Sequence, residues 1–317
     1  MDGIIESMGT IIAVDIGGTH LRAALYEPDK TKPIIHKRIR THTEDPGVYA
    51  RMEKLIESIW PKDGNVTAIG VASPGPLDPY TGYILKTPNI NEWQNFPLGP
   101  NLTKHFNVPT FVENDANLAA LGEWKFGAGK GHHHLLYLTI STGVGGGVIT
   151  DDHLLQGYHG LGAELGHTII DPNGPLCSCG FAGHLESFSS GPAIVKFVIR
   201  ELQAGANSSL KLDKNLSARV VADAAIHKDD LAISAYQRAG EYLGIAVANF
   251  LVAFDPSIVV FGGGVSQVGS LLFDPFQASL KKRIFHPRYL ENLKIELAAL
   301  GDDAGLLGAL ALAQISI

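Results

Sequence analysis

Apolar runs that stop abruptly at glycine recur along this chain. Thr10 to Asp15 (Thr-Ile-Ile-Ala-Val-Asp) is the first: it predicts a buried strand, breaks at Gly17-Gly18-Thr19, and returns as a second strand over Leu21 to Tyr26 that carries Arg22. Ile34 to Arg40 predicts a third strand. Helical spacing of Met52, Leu55, Ile56 and Ile59 predicts a helix over Val48 to Trp60. Thr67 to Ala72 reads as another buried strand. It ends at Ser73-Pro74-Gly75-Pro76, where proline stops the ladder and glycine permits close backbone approach. Leu77 to Asn91 reads as a hairpin-like excursion turning at Pro79 to Gly82.

The first pattern then comes back. After a strand at Pro109 to Glu113 and a helix at Ala116 to Lys125, Leu135 to Ile140 is an apolar strand, Ser141-Thr142-Gly143 a polar turn, and Gly145 to Thr150 a return strand. This echo suggests two lobes built on one strand-turn-strand theme. Helices are predicted at Pro192 to Gln203, Ala218 to Ile226, Asp230 to Phe254, Phe273 to Ile284 and Ala304 to Ile315. Strands are predicted at Pro256 to Phe261 and Leu293 to Ala298. Strands alternating with helices make the chain α/β.

With 317 residues the chain exceeds one ordinary core, so two domains or two lobes around a cleft are expected. The 45% apolar and 18% charged content describes a globular protein, and the net charge of −7 argues against a broad nucleic-acid surface. No stretch reaches transmembrane length; Leu243 to Phe254 comes nearest and stops at Asp255-Pro256. No basic start with an apolar run and cleavage site marks a secretory signal. The only two cysteines, Cys177 and Cys179, are one residue apart, a poor disulfide pair and a good metal pair, which fits a reducing cytoplasm.

Three glycine turns follow apolar strands: Asp15-Ile16-Gly17-Gly18-Thr19, Ser141-Thr142-Gly143 and Gly262-Gly263-Gly264. Freed backbone amides at such turns suit phosphate oxygens, though each turn taken singly needs no ligand to explain it. Neither the dinucleotide fingerprint nor the Walker motif is present. Glu113-Asn114-Asp115-Ala116-Asn117 lies at a strand-to-helix junction; plain N-capping explains it as well as a carboxylate aimed beyond the strand end. The segment from Glu164 to Glu186 holds His167, Cys177, Cys179 and His184, the donor set of tetrahedral zinc, flanked by two carboxylates left free to accept from hydroxyls. His132-His133-His134 reads as a solvated loop.

Together these elements resemble the ROK family of bacterial sugar kinases, in the actin/hexokinase superfamily, over nearly the whole chain. The resemblance rests on Asp15-x-Gly17-Gly18-Thr19-x-x-Arg22, Ser141-Thr142-Gly143-x-Gly-Gly-Gly, Glu113-Asn114-Asp115-x-Asn117 and Gly262-Gly263-Gly264. Most specific are Glu164-x-Gly-His167 and Cys177-x-Cys179-Gly-x-x-Gly-x-x-Glu186. Most members have a third cysteine where this chain has His184.

The resemblance implies an α/β, two-lobed actin-like ATPase/hexokinase (ribonuclease H-like) fold with a central cleft. The small lobe would hold residues 1–117 and 303–317, and the large lobe 118–302. It implies ATP-dependent phosphorylation of a hexose, with glucose the first choice. N-acetylglucosamine, N-acetylmannosamine, fructose or mannose are alternatives, and a sugar-responsive regulator without catalysis is a further one. That regulator would carry a DNA-binding domain ahead of the first phosphate motif, where here only Met1 to Gly9 stand. Asp115 would be the general base. Gly75, Asn89, Asn114, Asp115, Glu164, His167 and Glu186 would bind the sugar. Asp15, Gly17, Gly18, Thr19, His20, Arg22, Thr142, Gly143, Gly262, Gly263 and Gly264 would bind ATP with its Mg²⁺. Structural Zn²⁺ would sit on His167, Cys177, Cys179 and His184, with His167 offering its other ring nitrogen to the sugar. The protein would be a cytoplasmic homodimer or higher homo-oligomer, with no nucleic-acid or membrane partner.

Overall fold

A computed structural model of the chain describes residues 9–43, 47–87 and 90–317. The chain opens with β1 (Thr10–Ile16), β2 (His20–Tyr26), β3 (Ile35–Arg40), α1 (Val48–Glu57) and β4 (Val66–Ser73). Three short strands follow, β5 (Leu77–Asp78), β6 (Tyr83–Lys86) and β7 (Gln94–Phe96), then α2 (Leu98–Phe106), β8 (Thr110–Asn114) and α3 (Asp115–Phe126). Next come β9 (Leu135–Ile140), β10 (Val144–Thr150), β11 (His153–Leu154), α4 (Glu186–Ser189), α5 (Gly191–Gln203), α6 (Ala218–Ile226) and α7 (Asp230–Phe254). The chain closes with β12 (Ile258–Gly262), α8 (Ser270–Arg283), β13 (Lys294–Leu297) and α9 (Ala304–Ser316). No helix among the described residues is long and apolar enough to cross a membrane.

Residue contacts divide the chain into two compact units, 1–131 with 154–163 and 299–317, and 132–153 with 164–298. The boundary anticipated at Asn117 therefore falls inside α3. That helix stays in the first unit because it packs on α9. The segment 154–163 is an excursion of the chain into the first unit. Tyr80 donates to the Gly157 carbonyl at 2.6 Å, which helps hold it there.

The first unit is built on a sheet in the order β3-β2-β1-β4-β8 and the second on one in the order β11-β10-β9-β12-β13. β1 runs antiparallel to β2 and parallel to β4, and β4 is parallel to β8. In the second unit β9 runs antiparallel to β10 and parallel to β12, and β12 is parallel to β13. The echo heard in the sequence is thus one topology used twice.

Alternation along β1 sends Ile12, Val14 and Ile16 to one face, where they pack with Leu21, Met52, Ile56, Trp93 and Leu102. The opposite face carries Asp15 and meets α9; a Cβ on Gly305, in the first turn of that helix, would lie 3.0 Å from the Asp15 carboxylate. α9 also crosses α3 at backbone distance. A Cβ on Gly308 would sit 1.9 Å from the Leu118 carbonyl oxygen, so no larger residue fits without moving a helix. The Leu77 to Asn91 excursion, read as a hairpin, is part of a small three-stranded sheet β5-β6-β7. The sequence reading missed α2, whose Leu-Gly-Pro-Asn start resembles a loop; burial of Leu98 and Leu102 stabilises it.

Gly308→Ala should lower the unfolding free energy by about 1–3 kcal/mol, the usual range for overpacking. A chemical denaturation curve unchanged from the wild type would remove this helix crossing as a constraint on the fold.

Candidate functional site

In the first glycine turn, Gly17 N–H donates to the His20 carbonyl at 3.0 Å and the Thr41 hydroxyl donates to the Gly17 carbonyl at 2.6 Å. The Gly18 and Thr19 positions are exposed. Asp15 and Arg22 are cross-strand partners, and the guanidinium holds the carboxylate through Nε at 2.9 Å and through Nη2. Burial raises the Asp15 pKa against the opposing pull of Arg22. Arg22 Nη1 also donates to the Asp302 carbonyl, just ahead of α9. Strand end, return strand and helix start are thereby fixed around one buried carboxylate.

The second cluster of the same unit stands at the β8–α3 junction. Asn114 is the N-cap of α3 and accepts from Ala116 N–H at 2.9 Å and Asn117 N–H at 3.3 Å, a cap worth about 1 kcal/mol. Asp115 is the first helical residue, exposed at the strand end, and accepts from Ala116 N–H at 2.8 Å. Gly75 lies beside it, since a Cβ there would come 3.0 Å from Asn114 Nδ2. Expected Asn89 lies outside the described residues.

Beneath this junction sits Glu113, fully buried, which sequence reasoning quoted in the motif without giving it a role. It accepts from Asn114 N–H at 2.7 Å, Asn117 Nδ2 at 3.2 Å and Gln156 Nε2 at 2.6 Å. Burial raises its pKa even with these three donors opposing. Gln156 belongs to the 154–163 excursion, and no motif marks it.

In the second unit, the Ser141-Thr142-Gly143 turn closes with Ser141 N–H donating to the Gly143 carbonyl at 2.9 Å. Glu186 was expected to be a spare carboxylate. Instead its Oε2 accepts from Val144 N–H at 3.1 Å, and its Oε1 from the Ser178 hydroxyl at 2.6 Å and the Cys177 thiol at 3.4 Å. A Cβ on Gly143 would meet Glu186 Oε2 at 2.6 Å, so this carboxylate ties the phosphate-type turn to the cysteine loop.

Glu164 and His167 bracket a single 3-10 turn, Leu165–His167. The turn lies directly on β10, where a Cβ on Gly166 would fall 1.8 Å from the Val144 carbonyl oxygen. Only glycine can stand at position 166 in this arrangement. Partial burial raises the Glu164 pKa, with the His167 imidazole opposing and the Glu186 carboxylate adding to the rise.

His167, Cys177, Cys179 and His184 converge, each offering one donor atom, all within 4.8 Å of one another. Two antiparallel bridges, Ile169 with His184 and Leu176 with Ala182, fold the loop back on itself. Cys177 Sγ is 3.9 Å from His167 Nδ1, and Cys179 Sγ is 3.1 Å from His184 Nδ1. Zinc bonds of about 2.0–2.3 Å place tetrahedral donors roughly 3.4–3.8 Å apart, so the cluster fits that ion with small adjustments. Burial lowers the His184 pKa and keeps its ring in the neutral form that ligates metals. Burial also pushes the Cys177 thiol up to about 11, a shift that a bound dication would reverse. The three consecutive histidines are engaged elsewhere: His133 Nδ1 lies 2.8 Å from the Asp152 carboxylate.

The third glycine turn divides. A Cβ on Gly262 would meet the Tyr137 hydroxyl at 2.3 Å and one on Gly263 the Ile140 carbonyl oxygen at 2.3 Å, whereas nothing lies within 4 Å of that on Gly264. Packing on β9 accounts for the first two, which leaves Gly264 as the position open to a ligand.

The family model for the ROK family matches residues 11–315. The chain belongs to the ROK family. It is 39% identical over 306 residues to a glucokinase from Thermotoga maritima, an alignment covering 94% of this chain and 95% of that protein. A ROK-family glucokinase from Streptomyces griseus, solved with glucose and AMPPNP, superposes with a TM-score of 0.78 at 31% identity, covering 97% of this chain and 100% of that one. A ROK-family transcriptional regulator, a homolog of the E. coli MLC protein, superposes with a TM-score of 0.86 at 32% identity, covering 96% of this chain and 78% of the regulator. The fold is that of the actin/hexokinase-like sugar kinases.

Because folding raises the Glu113 pKa above its ordinary 4.5, the native state binds that proton more tightly. The contribution is complete below the unfolded value and is lost as pH rises through the folded one. Glu113→Gln, which cannot ionise, should therefore gain stability relative to the wild type between pH 4 and pH 8. Urea unfolding at several pH values would show this, and a pH-independent difference would sever Glu113 ionisation from folding.

Proposed function

We propose that the protein is an ATP-dependent hexose kinase that converts glucose to glucose 6-phosphate, with Asp115 as general base. The observation that carries the reading is Asp115 itself, exposed at the first position of α3 with Asn114 and Gly75 beside it. The N-terminal end of the helix favours negative charge at this position. In a loose, metaphosphate-like transition state the hydroxyl proton leaves late, so Asp115 orients the hydroxyl and takes its proton as the bond to phosphorus forms.

Asn114, Gly75 and Asn89 in the first unit, and Glu164, His167 and Glu186 in the second, would bind sugar hydroxyls. Of these, Glu164 has acceptor capacity to spare, while Glu186 contributes what its three internal donors leave. Thr19 and the amide of Gly18, at the turn that Gly17 opens, with Thr142 and Gly143, would hold the phosphates, and Gly264 would face the adenosine. Mg²⁺ arriving with the nucleotide would neutralise phosphate charge near Asp15, which Arg22 already occupies on one side. His20 is the first residue of β2, next to Thr19.

The glucokinases of Thermotoga maritima and Streptomyces griseus support glucose over the N-acetylhexosamines, fructose and mannose. The likeness to a transcriptional regulator supports a second reading, sugar binding without turnover. A coupled ADP-release assay across hexoses and N-acetylhexosamines separates these outcomes. Turnover with glucose is expected; preference for another sugar would replace glucose, and no turnover with any sugar would favour the regulator. Asp115→Asn should lower kcat by about two to four orders of magnitude with sugar affinity retained. Near-normal turnover would remove Asp115 as the base.

We also propose that His167, Cys177, Cys179 and His184 hold a structural Zn²⁺, which when bound would neutralise the thiolates and pin the loop that orients His167 and Glu186. Metal analysis of the purified protein should find about one zinc per chain. Cys177→Ser should lose it and weaken sugar binding roughly tenfold or more. Protein free of zinc with full sugar affinity would overturn this assignment. A homodimer or larger homo-oligomer is part of the same proposal, testable by light scattering.

A further inference from the structure

Thr41 stands just past β3, fully buried, in a segment that no motif marks. Both of its donors go to the first glycine turn. The Thr41 hydroxyl donates to the Gly17 carbonyl at 2.6 Å, and Thr41 N–H donates to the Thr19 carbonyl at 2.9 Å. The pairing of β2 with β3 sets His20 opposite Arg40, and the next step along this register brings Thr41 opposite Thr19. One residue thus grips the turn on either side of Gly18. Burial alone would be served by valine, which has nearly the same shape; the hydroxyl is what reaches Gly17.

Thr41 is held in its turn by Arg51 of α1, which is buried as well. Arg51 Nη1 donates to the Thr41 carbonyl at 2.8 Å and Nη2 donates to the Arg40 carbonyl. A guanidinium presents its donors in a rigid planar fork, so two consecutive carbonyls bound by one fork are fixed relative to each other. These bonds carry the charge of the donor and are stronger than neutral ones. A continuous brace therefore runs from α1 through the end of β3 to the glycine turn.

Peptide planarity converts this brace into a direction. In a trans peptide the carbonyl and the N–H of the following residue point opposite ways, and the Gly17–Gly18 and Thr19–His20 peptides are trans. With the Gly17 carbonyl drawn to the Thr41 hydroxyl, the Gly18 N–H is turned away from Thr41. With the Thr19 carbonyl drawn to Thr41 N–H, the His20 N–H is turned away likewise. Gly18 and Thr19 are exposed, so the amide of Gly18 is directed out of the unit. Two adjacent glycines would otherwise leave this backbone free to sample many conformations. We infer that Thr41, braced by Arg51, is a positioning residue for the nucleotide: it presets the first glycine turn so that the Gly18 and His20 amides are aimed at phosphate oxygens before the nucleotide arrives. Such preorganisation removes an ordering cost from binding. The role rests on the sugar-kinase reading above and bears on the nucleotide alone.

The test uses the full chain. Calorimetry measures binding of AMPPNP with Mg²⁺, and separately of glucose, to the wild type, Thr41→Val, Thr41→Ser and Arg51→Lys, with circular dichroism to confirm folding. Thr41→Val should weaken AMPPNP roughly tenfold, since a hydrogen bond is lost and the Gly17 carbonyl is left unpaired. Thr41→Ser, which keeps the hydroxyl, should return within about twofold of the wild type, and Arg51→Lys, which replaces the fork by one ammonium, should weaken AMPPNP about threefold. Glucose affinity should stay within about twofold throughout, and the KM for ATP should rise in step with the calorimetric losses while kcat changes less. AMPPNP affinity unchanged in folded Thr41→Val would overturn the role, as would a parallel loss of glucose affinity or a serine variant as weak as valine. Should Thr41→Val not fold, unchanged AMPPNP affinity in Arg51→Lys would overturn it. A wild type that binds glucose but not AMPPNP would count against the kinase reading and remove this role with it, whereas AMPPNP binding that the variants leave untouched removes the role of Thr41 alone.

Discussion

Main chain packed against main chain is the constraint on which this structure depends. The 3-10 turn that carries Glu164 and His167 lies so close to β10 that a methyl group on Gly166 would overlap the Val144 carbonyl, at 1.8 Å. The crossing of α3 and α9, which fixes the helix bearing Asp115, has the same character at Gly308. Protein interiors are packed too densely to absorb such an overlap, so displacement of one element would carry functional side chains with it. Precise placement of the site thus comes from the scaffold touching itself beneath the chemistry.

Buried or engaged carboxylates provide the next level of order. Glu113 gathers Asn114, Asn117 and Gln156 under the β8–α3 junction. Glu123, fully buried in α3, accepts from the backbone of Ala128, Ala299 and Leu300 and so joins the end of that helix to the chain entering α9. Glu186 joins the second phosphate-type turn to the cysteine loop. In each case a carboxyl group with two oxygens satisfies amides or side chains that a loop would otherwise leave unpaired. The cost of burying so polar a group is offset only while its partners stay in place, which makes these residues sensitive points for mutation.

The two units use one strand order, and each ends its central strands in a glycine turn. Their specialisation lies in what is added. The first adds the α3 junction with Asp115, and the second adds the loop with His167, Cys177, Cys179 and His184. A common sheet supports different chemistry because strand ends free backbone amides and project side chains, whatever decorates them.

The sequence by itself determined the strands and long helices, because buried strands are continuous apolar runs and α7 is a long helical pattern closed by Asp255-Pro256. It also determined the donor set of the cysteine loop and the junction at Asp115, since local spacing and capping chemistry are written in neighbouring residues. Tertiary structure alone decided three matters. Gly262 and Gly263 serve packing, whereas Gly264 stays open, because their neighbours Tyr137 and Ile140 lie more than a hundred residues away. Glu186 is engaged by Val144 and Ser178, so the carboxylate that local order left spare is a tie between loops. Gln156 reaches Glu113, and Thr41 reaches Gly17, through contacts between segments that no periodicity links. Local pattern encodes conformation, but which charge is satisfied and which is left for a ligand is settled only when distant segments meet.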